Sequence, residues 1–477
     1  MERAEAEAIY DAGREAVVGA LLSLAAWVEA LLEANRALTV RVERLEERAG
    51  RSSRNSSLPP SADPPGAPPR PPKPSSGRRR GGQPGHPGAS RMLAPAERVD
   101  ELVERWPERC GGCGEPLARE CAEGEPERQQ LWELPALAVR ISEYRLYACR
   151  CRCGQLTRAP LPPGVARSPF GPRLHAAVAT LVGRHRLSRR DAARLVGELF
   201  GCPLSTGAID AIVGRVGEAL AHPYQELRSA LQAAPAVNAD ETGWSLAGKR
   251  RWLWGGFTPR IAVFSIEETR GQAAAKRLLG ESPPGIVCSD RWSGYSHLPA
   301  ERRQLCWAHL ARDFQAVAER RGAEGKLGRA LQRETAALFT AWQAYRAHGQ
   351  QVRLATELAP VKERLRTLLE RGERSRRPQS ATLCANLLSL WPALWSFLDC
   401  PQLLQPTNNH AERCLRPAVI QRKLCFGNDS ERGLRTTERL LSVAGSCRLQ
   451  DRSLFAYLCE ALTAALSDKP APSLLTT

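Results

Sequence analysis

Two short apolar runs, each ending in an aspartate, do most to limit what this chain can fold into. Ala236-Val237-Asn238-Ala239-Asp240 and Gly285-Ile286-Val287-Cys288-Ser289-Asp290 are too short for helices and apolar enough to be buried strands. Between them, Arg251 to Thr258 and Arg260 to Ile266 read as two further strands, and a short helix is expected over Gln272 to Leu279. After Asp290, a strand over Arg303 to Trp307 leads into a helix from Ala308 to Arg320.

Three strands, a helix, a strand and a helix, with one more strand before the last helix, is the order of an RNase H-like core. Asp240 and Asp290 then end strands that such a core places side by side. Carboxylates at that sheet end suit two-metal phosphoryl transfer, in which divalent ions roughly 4 Å apart stabilise the attacking and leaving oxygens. An all-carboxylate donor set favours hard ions, Mg²⁺ or Mn²⁺. A third carboxylate is needed from a helix. Glu319 and Glu324 lie in a charge-rich helix end, and residues 327–401 read as an inserted helical subdomain without catalytic pattern. Beyond it, Asn408 or Asn409 can cap a helix carrying Glu412, followed by Arg413, Arg416, Arg422 and Lys423, which suit scissile or flanking phosphates.

Outside this core the composition changes in steps. Residues 1–48 read as one long helix with a heptad register: Leu21, Val28, Asn35 and Val42 at a, and Leu24, Leu31, Leu38 and Leu45 at d. Valine at a with leucine at d favours two parallel strands, and a lone Asn at a fixes register, so a homodimer is expected. Residues 49–90 are a Pro-rich linker, expected to be extended, with Arg78, Arg79 and Arg80 able to track a phosphate backbone. Residues 91–165 carry Cys110-Gly-Gly-Cys113-Gly and Cys149-Arg-Cys151-Arg-Cys153-Gly, joined by a strand-like stretch from Leu137 to Tyr147. Four thiolates from two such knuckles would complete a structural Zn²⁺ site. Cys110 and Cys113 supply the first pair; Cys151 and Cys153 supply the second, with Cys149 as the alternative. Residues 166–230 follow a helix-turn-helix pattern: helices over Leu174 to Arg184, Arg189 to Phe200 capped by Ser188, and Gly207 to Leu220. The catalytic region spans 231–433, and 434–477 is a helical C-terminal region. The whole is a multidomain α+β chain.

Charge and cysteine usage narrow the partners. A net charge of +17 over 477 residues, partly the Arg-rich mark of GC-rich coding, favours a polyanion such as double-stranded DNA. Fifteen cysteines, some at ligand spacing and others scattered in apolar stretches, suit a reducing cytoplasm. No apolar run reaches the roughly 20 residues of a membrane span, and Val17 to Leu32 is broken by Ser23, Trp27 and Glu29. A cytoplasmic protein without membrane contact, nucleoid-associated when active, is expected.

The segments Asn238-Ala-Asp-Glu-Thr242, Cys288-Ser-Asp-Arg-Trp-Ser-Gly-Tyr295, Cys306-Trp-Ala-His309 and Asn408-Asn-His-Ala-Glu-Arg-Cys-Leu-Arg-Pro417, with Arg422-Lys423, resemble the insertion-sequence 66 family of DDE transposases. Ser52-Ser-Arg-Asn-Ser-Ser-Leu-Pro-Pro60, Gly81-Gly-Gln-Pro-Gly-His86, the cysteine knuckles and the helix-turn-helix follow in family order. The resemblance implies Asp240, Asp290 and Glu412 as catalytic, metal-binding triad, and it is the main reason to choose Glu412 over Glu324. It also implies action on element ends and target DNA, and accessory proteins of the same element as possible partners. The second knuckle departs from the family's usual Cys-x-x-Cys-Gly. His309 is read as supporting the active site or touching phosphate. The rival readings are a zinc-containing DNA-binding regulator without catalysis, an RNase H-like nuclease that never joins strands, and a decayed transposase.

Overall fold

The computed structural model describes residues 3–56, 63, 92–135, 137–165 and 167–475. Arg78, Arg79 and Arg80, and the Gly81–His86 stretch, lie outside the described residues. The chain divides into two compact units, one formed by Met1–Ala67, Ser142–Gly197 and Pro203–Thr477, the other by Pro68–Ile141 with Glu198–Cys202. In the second unit, the described residues are mostly irregular and exposed. They are held by short turns, by a reciprocal pair of hydrogen bonds between Ala94 and Gln130, and by Arg98 over Trp132 and Arg119 over Trp106.

The N-terminal helix is two helices, α1 (Arg3–Asp11) and α2 (Arg14–Ala49), rather than one. Gly13, at φ 99°, breaks it, a conformation that costs glycine little and other residues more. All seven apolar a and d residues of the heptad register are exposed, from 46% at Val28 to 64% at Leu31. The stretch Arg14–Thr39 is, by length and composition, long and apolar enough to cross a membrane. This corrects the expectation that no run would reach that length: Ser23, Trp27 and Glu29 interrupt the apolar sequence without lowering its average enough. A two-stranded hairpin follows, β1 (Ala148–Arg150) antiparallel to β2 (Leu156–Arg158). The expected strand over Leu137–Tyr147 is irregular; Ile141 and Tyr147 are exposed and no strand pairs with the segment.

Next come α3 (Pro172–Gly183), α4 (Arg189–Phe200), α5 (Thr206–Ala219) and α6 (Ala221–Gln232). Serines start the middle two. The Asp191 N–H donates to Ser188 Oγ, and the Ala208 N–H donates to Ser205 Oγ at 3.0 Å.

The sheet is built from β3 (Ala236–Leu246), β4 (Lys249–Phe257) and β5 (Ala262–Glu267). After α7 (Gln272–Leu279) it continues with β6 (Ile286–Ser289) and β7 (Arg303–Leu305), before α8 (Trp307–Ala318). Its spatial order is β5-β4-β3-β6-β7. The three long strands are antiparallel, whereas β6 runs parallel to β3 and β7 parallel to β6. The inserted helices α9 (Gly322–His348), α10 (Gln351–Glu373) and α11 (Pro378–Ser389) bury Leu331, Leu338, Leu358 and Leu369, with Phe397 from the segment after them, in a cluster that includes Cys288, Leu305 and Trp307 of the sheet side. Trp307 Nε1 donates to the Leu394 carbonyl at 2.9 Å, and Gln304 Oε1 accepts from the Phe397 N–H at 2.8 Å, so the insertion is fastened to the β7 edge.

The chain closes with α12 (Asn409–Cys425), α13 (Glu431–Leu449) and α14 (Leu454–Leu466). Strand β5 is an edge whose free N–H groups would invite foreign strands. Helix α13 covers it with side chains four residues apart: Ser446, Ser442 and Glu438 accept from the N–H groups of Ala262, Phe264 and Ile266. The same helix packs against α5, whose Gly214 and Gly217 leave room for Arg432 and Thr436. The second helix of the helix-turn-helix pattern thus has one face sunk in the core, with Ile209, Ile212, Val213 and Val216 buried.

Candidate active site

The register places the two aspartates. Asn238 of β3 is paired with Cys288 of β6 in parallel alignment, and Asp240 and Asp290 each lie two residues further on. Side chains alternate along a strand, so Asp240 keeps the face of Asn238; contrary to the expectation that each aspartate ends its strand, β3 runs on to Leu246 and Asp290 is the first residue beyond β6. The intervening residues of β3, Ala239 and Glu241, face the other way. Glu412 lies in the first turn of α12, where a helix favours negative charge.

What brings that turn to the strand end is Asn408. Its side chain makes no cap bond, contrary to the capping expected from the sequence. Nδ2 donates instead to the Ala239 carbonyl at 2.7 Å, Oδ1 accepts from Asn238 Nδ2 at 2.9 Å, and its backbone N–H donates to Cys306 Sγ at 3.1 Å. The start of the helix is thereby tied to the residues flanking Asp240.

Asp240 is held well above the usual carboxylate range, first by loss of solvent and then by the charges of Glu241, Asp290 and Glu412. Asp290 and Glu412 therefore both lie within electrostatic reach of Asp240. The one cation at ion-pair distance from them, among the described residues, is Arg312, at 4.0 Å from Glu412. Crowded oxygen acids with so little positive charge are a donor set that fits a hard divalent cation. Among the described residues, no three His, Cys, Asp or Glu side chains converge closely enough to enclose an ion. His309 sits beside the acids; burial, then Arg312, push its imidazole down to about 4, and its Nδ1 is buried without a hydrogen-bond partner. At neutral pH the ring is uncharged.

The remaining predicted residues fall into groups. Arg413, Arg416 and Lys423 are exposed along α12. Arg422 is half-buried and its Nη1 donates to Thr242 Oγ1 at 3.0 Å and to the Gly243 carbonyl, so that donor ties α12 to β3. Glu324, the competing third acid, accepts from Ser375 and Ser380 and lies 3.8 Å from Arg320. Glu319 accepts from Gln315 and Asn55.

Each cysteine knuckle is a tight turn closed by glycine at positive φ, Gly114 in the first and Gly154 in the second. N–H groups aimed at sulfur, from Cys113 first and then Gly112, lower the Cys110 thiol to about 7; the Cys153 N–H lowers Cys151. Cys149 lies in β1, one strand residue apart from the turn. Sequence reasoning passed over Glu241, Arg270, Tyr295 and Arg312. Only the position of Glu241 beside Asp240, on the opposite strand face, could have drawn attention to it.

Comparison with known proteins gives two family matches. The model described as "Transposase IS66 family" covers residues 167–436, more than half of the chain, and one described as a family of unknown function covers residues 3–92. Two proteins of Sinorhizobium fredii (strain NBRC 101917 / NGR234) are similar along most of their length. The uncharacterized protein y4hP is 26% identical over 410 residues, 78% of this chain and 73% of its own. The uncharacterized protein y4qI is 25% identical over 420 residues, 80% and 75% respectively.

Proposed function

This chain belongs to the IS66 transposase family, and from its carboxylate geometry we propose that it cuts and joins DNA at insertion-element ends as a DDE-type enzyme. The observation that supports this reading is the parallel β3–β6 register, with Asp240 two residues past its last pair on β3, Asp290 immediately beyond β6, and Asp290 and Glu412 close enough to push the Asp240 carboxyl up. Strand order β5-β4-β3-β6-β7 followed by α8 supports an RNase H-like core for residues 231–433, interrupted by the helical insertion.

Asp240, Asp290 and Glu412 would hold Mg²⁺ or Mn²⁺, which when bound supplies charge neutralisation for the attacking and leaving oxygens. The protein's part is placement. Strand pairing fixes the two aspartates, Asn408 and Arg422 fix the helix that brings Glu412, and exposed Arg413, Arg416 and Lys423 bind flanking phosphates. Uncharged His309, beside the acids, is suited to share a hydrogen bond with a water or sugar hydroxyl through its other ring nitrogen. The exposed heptad face of α2 would pair two copies, bringing two element ends together, and the knuckle thiolates Cys110, Cys113, Cys151 and Cys153 would bind structural Zn²⁺. Helices α3 to α5 and the linker arginines add DNA contacts, and a nucleoid-associated, cytoplasmic enzyme follows from these partners. Accessory proteins of the same element complete the proposed partner set.

The test is a strand-transfer assay with Mn²⁺ or Mg²⁺, labelled element-end DNA and a supercoiled target. Joined products in wild type, and none in Asp240→Asn, Asp290→Asn or Glu412→Gln that still bind DNA, are expected. Cleavage without joining would favour a nuclease; binding without either would favour a regulator. Retained activity in Glu412→Gln alone would move the third acid elsewhere.

A further inference from the structure

Glu241 is a buried carboxylate beside the site that the mechanism above leaves idle. Its side chain is 1% exposed and faces away from Asp240. Both oxygens are already engaged. Arg270 donates to Oε1 through Nε at 2.7 Å and Nη2 at 2.6 Å, and the Tyr295 hydroxyl donates to Oε2 at 2.7 Å. A carboxylate so occupied is poorly placed to take a metal, but its partners both bear on the loop that carries Asp290.

Tyr295 closes that loop and is fully buried, its ring edge-on to Trp254 with centroids 5.7 Å apart. Arg270 grips the middle of the loop. Its guanidinium lies 4.0 Å above the Trp292 ring, and its carbonyl accepts from the Trp292 indole N–H at 2.8 Å. Gly294 permits this closeness: a Cβ there would come within 2.9 Å of the Trp292 side chain and 3.1 Å of the Arg270 carbonyl. The backbone N–H of Trp292 in turn donates to Asp290 Oδ1 at 2.9 Å, and Arg303 Nη2 donates to the Asp290 carbonyl at 3.3 Å. An unbroken chain of contacts thus runs from Glu241 through Arg270 and Trp292 to one carboxylate oxygen of Asp290.

We propose that Glu241, Arg270 and Tyr295 form a positioning clamp that fixes the Asp290 loop, and with it the orientation of the Asp290 carboxylate toward its metal. The clamp rests on the metal-dependent reading of the site. Residues one layer behind a metal ligand, by fixing its orientation, typically hold about tenfold to a hundredfold in metal affinity. Glu241, Arg270 and Tyr295 are positioning residues and touch neither metal nor DNA.

The experiment uses the full chain and two readouts: Mn²⁺ affinity by titration calorimetry, and the Mn²⁺ dependence of element-end cleavage. Tyr295→Phe keeps the ring and its packing and removes only the hydroxyl; Glu241→Gln keeps the shape and removes the charge. We expect both to weaken Mn²⁺ binding by about tenfold or more, with cleavage recovering toward the wild-type rate at high Mn²⁺, DNA affinity unchanged, and the double variant no worse than the poorer single one. Arg270→Lys, which cannot make the paired contact, should behave like Glu241→Gln. Wild-type Mn²⁺ affinity in Tyr295→Phe and Glu241→Gln overturns the clamp while leaving the active-site reading intact. Loss in Glu241→Gln that no Mn²⁺ concentration rescues, equal to Asp290→Asn, overturns it by making Glu241 a ligand. A wild type that neither binds Mn²⁺ nor cleaves overturns both proposals.

Discussion

Replacing Asn408 by alanine tests whether one side chain couples the fold to the site. Asn408 is 1% exposed and its amide joins two partners from β3, the Ala239 carbonyl and the Asn238 amide. Truncation leaves a buried acceptor and a buried donor unpaired. At about 1–3 kcal/mol for each orphaned group, the loss is about 2–6 kcal/mol, a large part of a typical domain's stability. Asn408→Asp keeps an acceptor for Asn238 but sets a buried carboxylate oxygen against the Ala239 carbonyl, so a loss at least as large as that of Asn408→Ala is expected. Function should fall further than stability in either variant, because Glu412 begins one turn beyond Asn408, and a misplacement near 1 Å can cost on the order of a hundredfold in rate. Urea unfolding of each variant, beside strand-transfer rates at a temperature where all remain folded, measures both. An Asn408→Ala protein with a midpoint and rate equal to wild type would refute the idea that this amide ties α12 to the Asp240 strand.

Three further outcomes follow from separate parts of the molecule. Burial raises Glu438 from its ordinary 4.5 to about 7, despite the Ile266 N–H and Arg435; its contribution to stability is complete below pH 4.5 and is lost as pH rises through about 7. That loss is on the order of 3 kcal/mol, and Glu438→Gln should flatten the pH dependence of the urea midpoint over this window; an unchanged slope contradicts it. Leu31→Glu, at a d position of α2, should turn a dimer into a monomer by light scattering; a monomeric wild type counts against the zipper, and wild type carried down with lipid vesicles would assign the apolar face to a bilayer. Cys110→Ser and Cys151→Ser should lower the zinc content of purified protein while Cys149→Ser leaves it intact, and loss in Cys149→Ser instead would move the second ligand pair.

The strand order and the helical insertion were legible because burial imposes short, regular signals. Strands form where Ala236–Asp240 and Gly285–Asp290 read as strands, although the first runs on to Leu246 and the second is only Ile286–Ser289, and Gln272–Leu279 is a helix with the bounds expected. Local chemistry also gave the cap at Ser188. The failures share one cause, competition from partners distant in sequence. Asn408 stands where a helix cap would, yet its side chain is drawn to β3. Leu137–Tyr147 has the residues of a strand and lacks a neighbour to pair with. Arg422 looks like a phosphate ligand, but one of its donors is committed to Thr242 and Gly243. The Glu241 clamp was illegible because Arg270 and Tyr295 reach it from separate segments, and neither spacing nor composition marks that meeting.

The long insertion before Glu412 raises a physical question that the packing answers. A flexible loop of that length would leave α12 free to miss the sheet, although its closure entropy grows only slowly with length. Here the insertion is not a loose loop. Its helices share one apolar cluster with Cys288, Leu305 and Trp307, and it is bonded to β7 through Gln304 and to α8 through Trp307. The Trp307 N–H donates to the Pro406 carbonyl at 2.8 Å, so the chain leaves the insertion already anchored beside α8. Two residues later Asn408 meets Cys306 and Ala239, and one helical turn after that comes Glu412. Glu412 is therefore delivered beside Asp240 by a packed return path, each step of which is set by a buried contact, and its distance in sequence from Asp290 costs little in order.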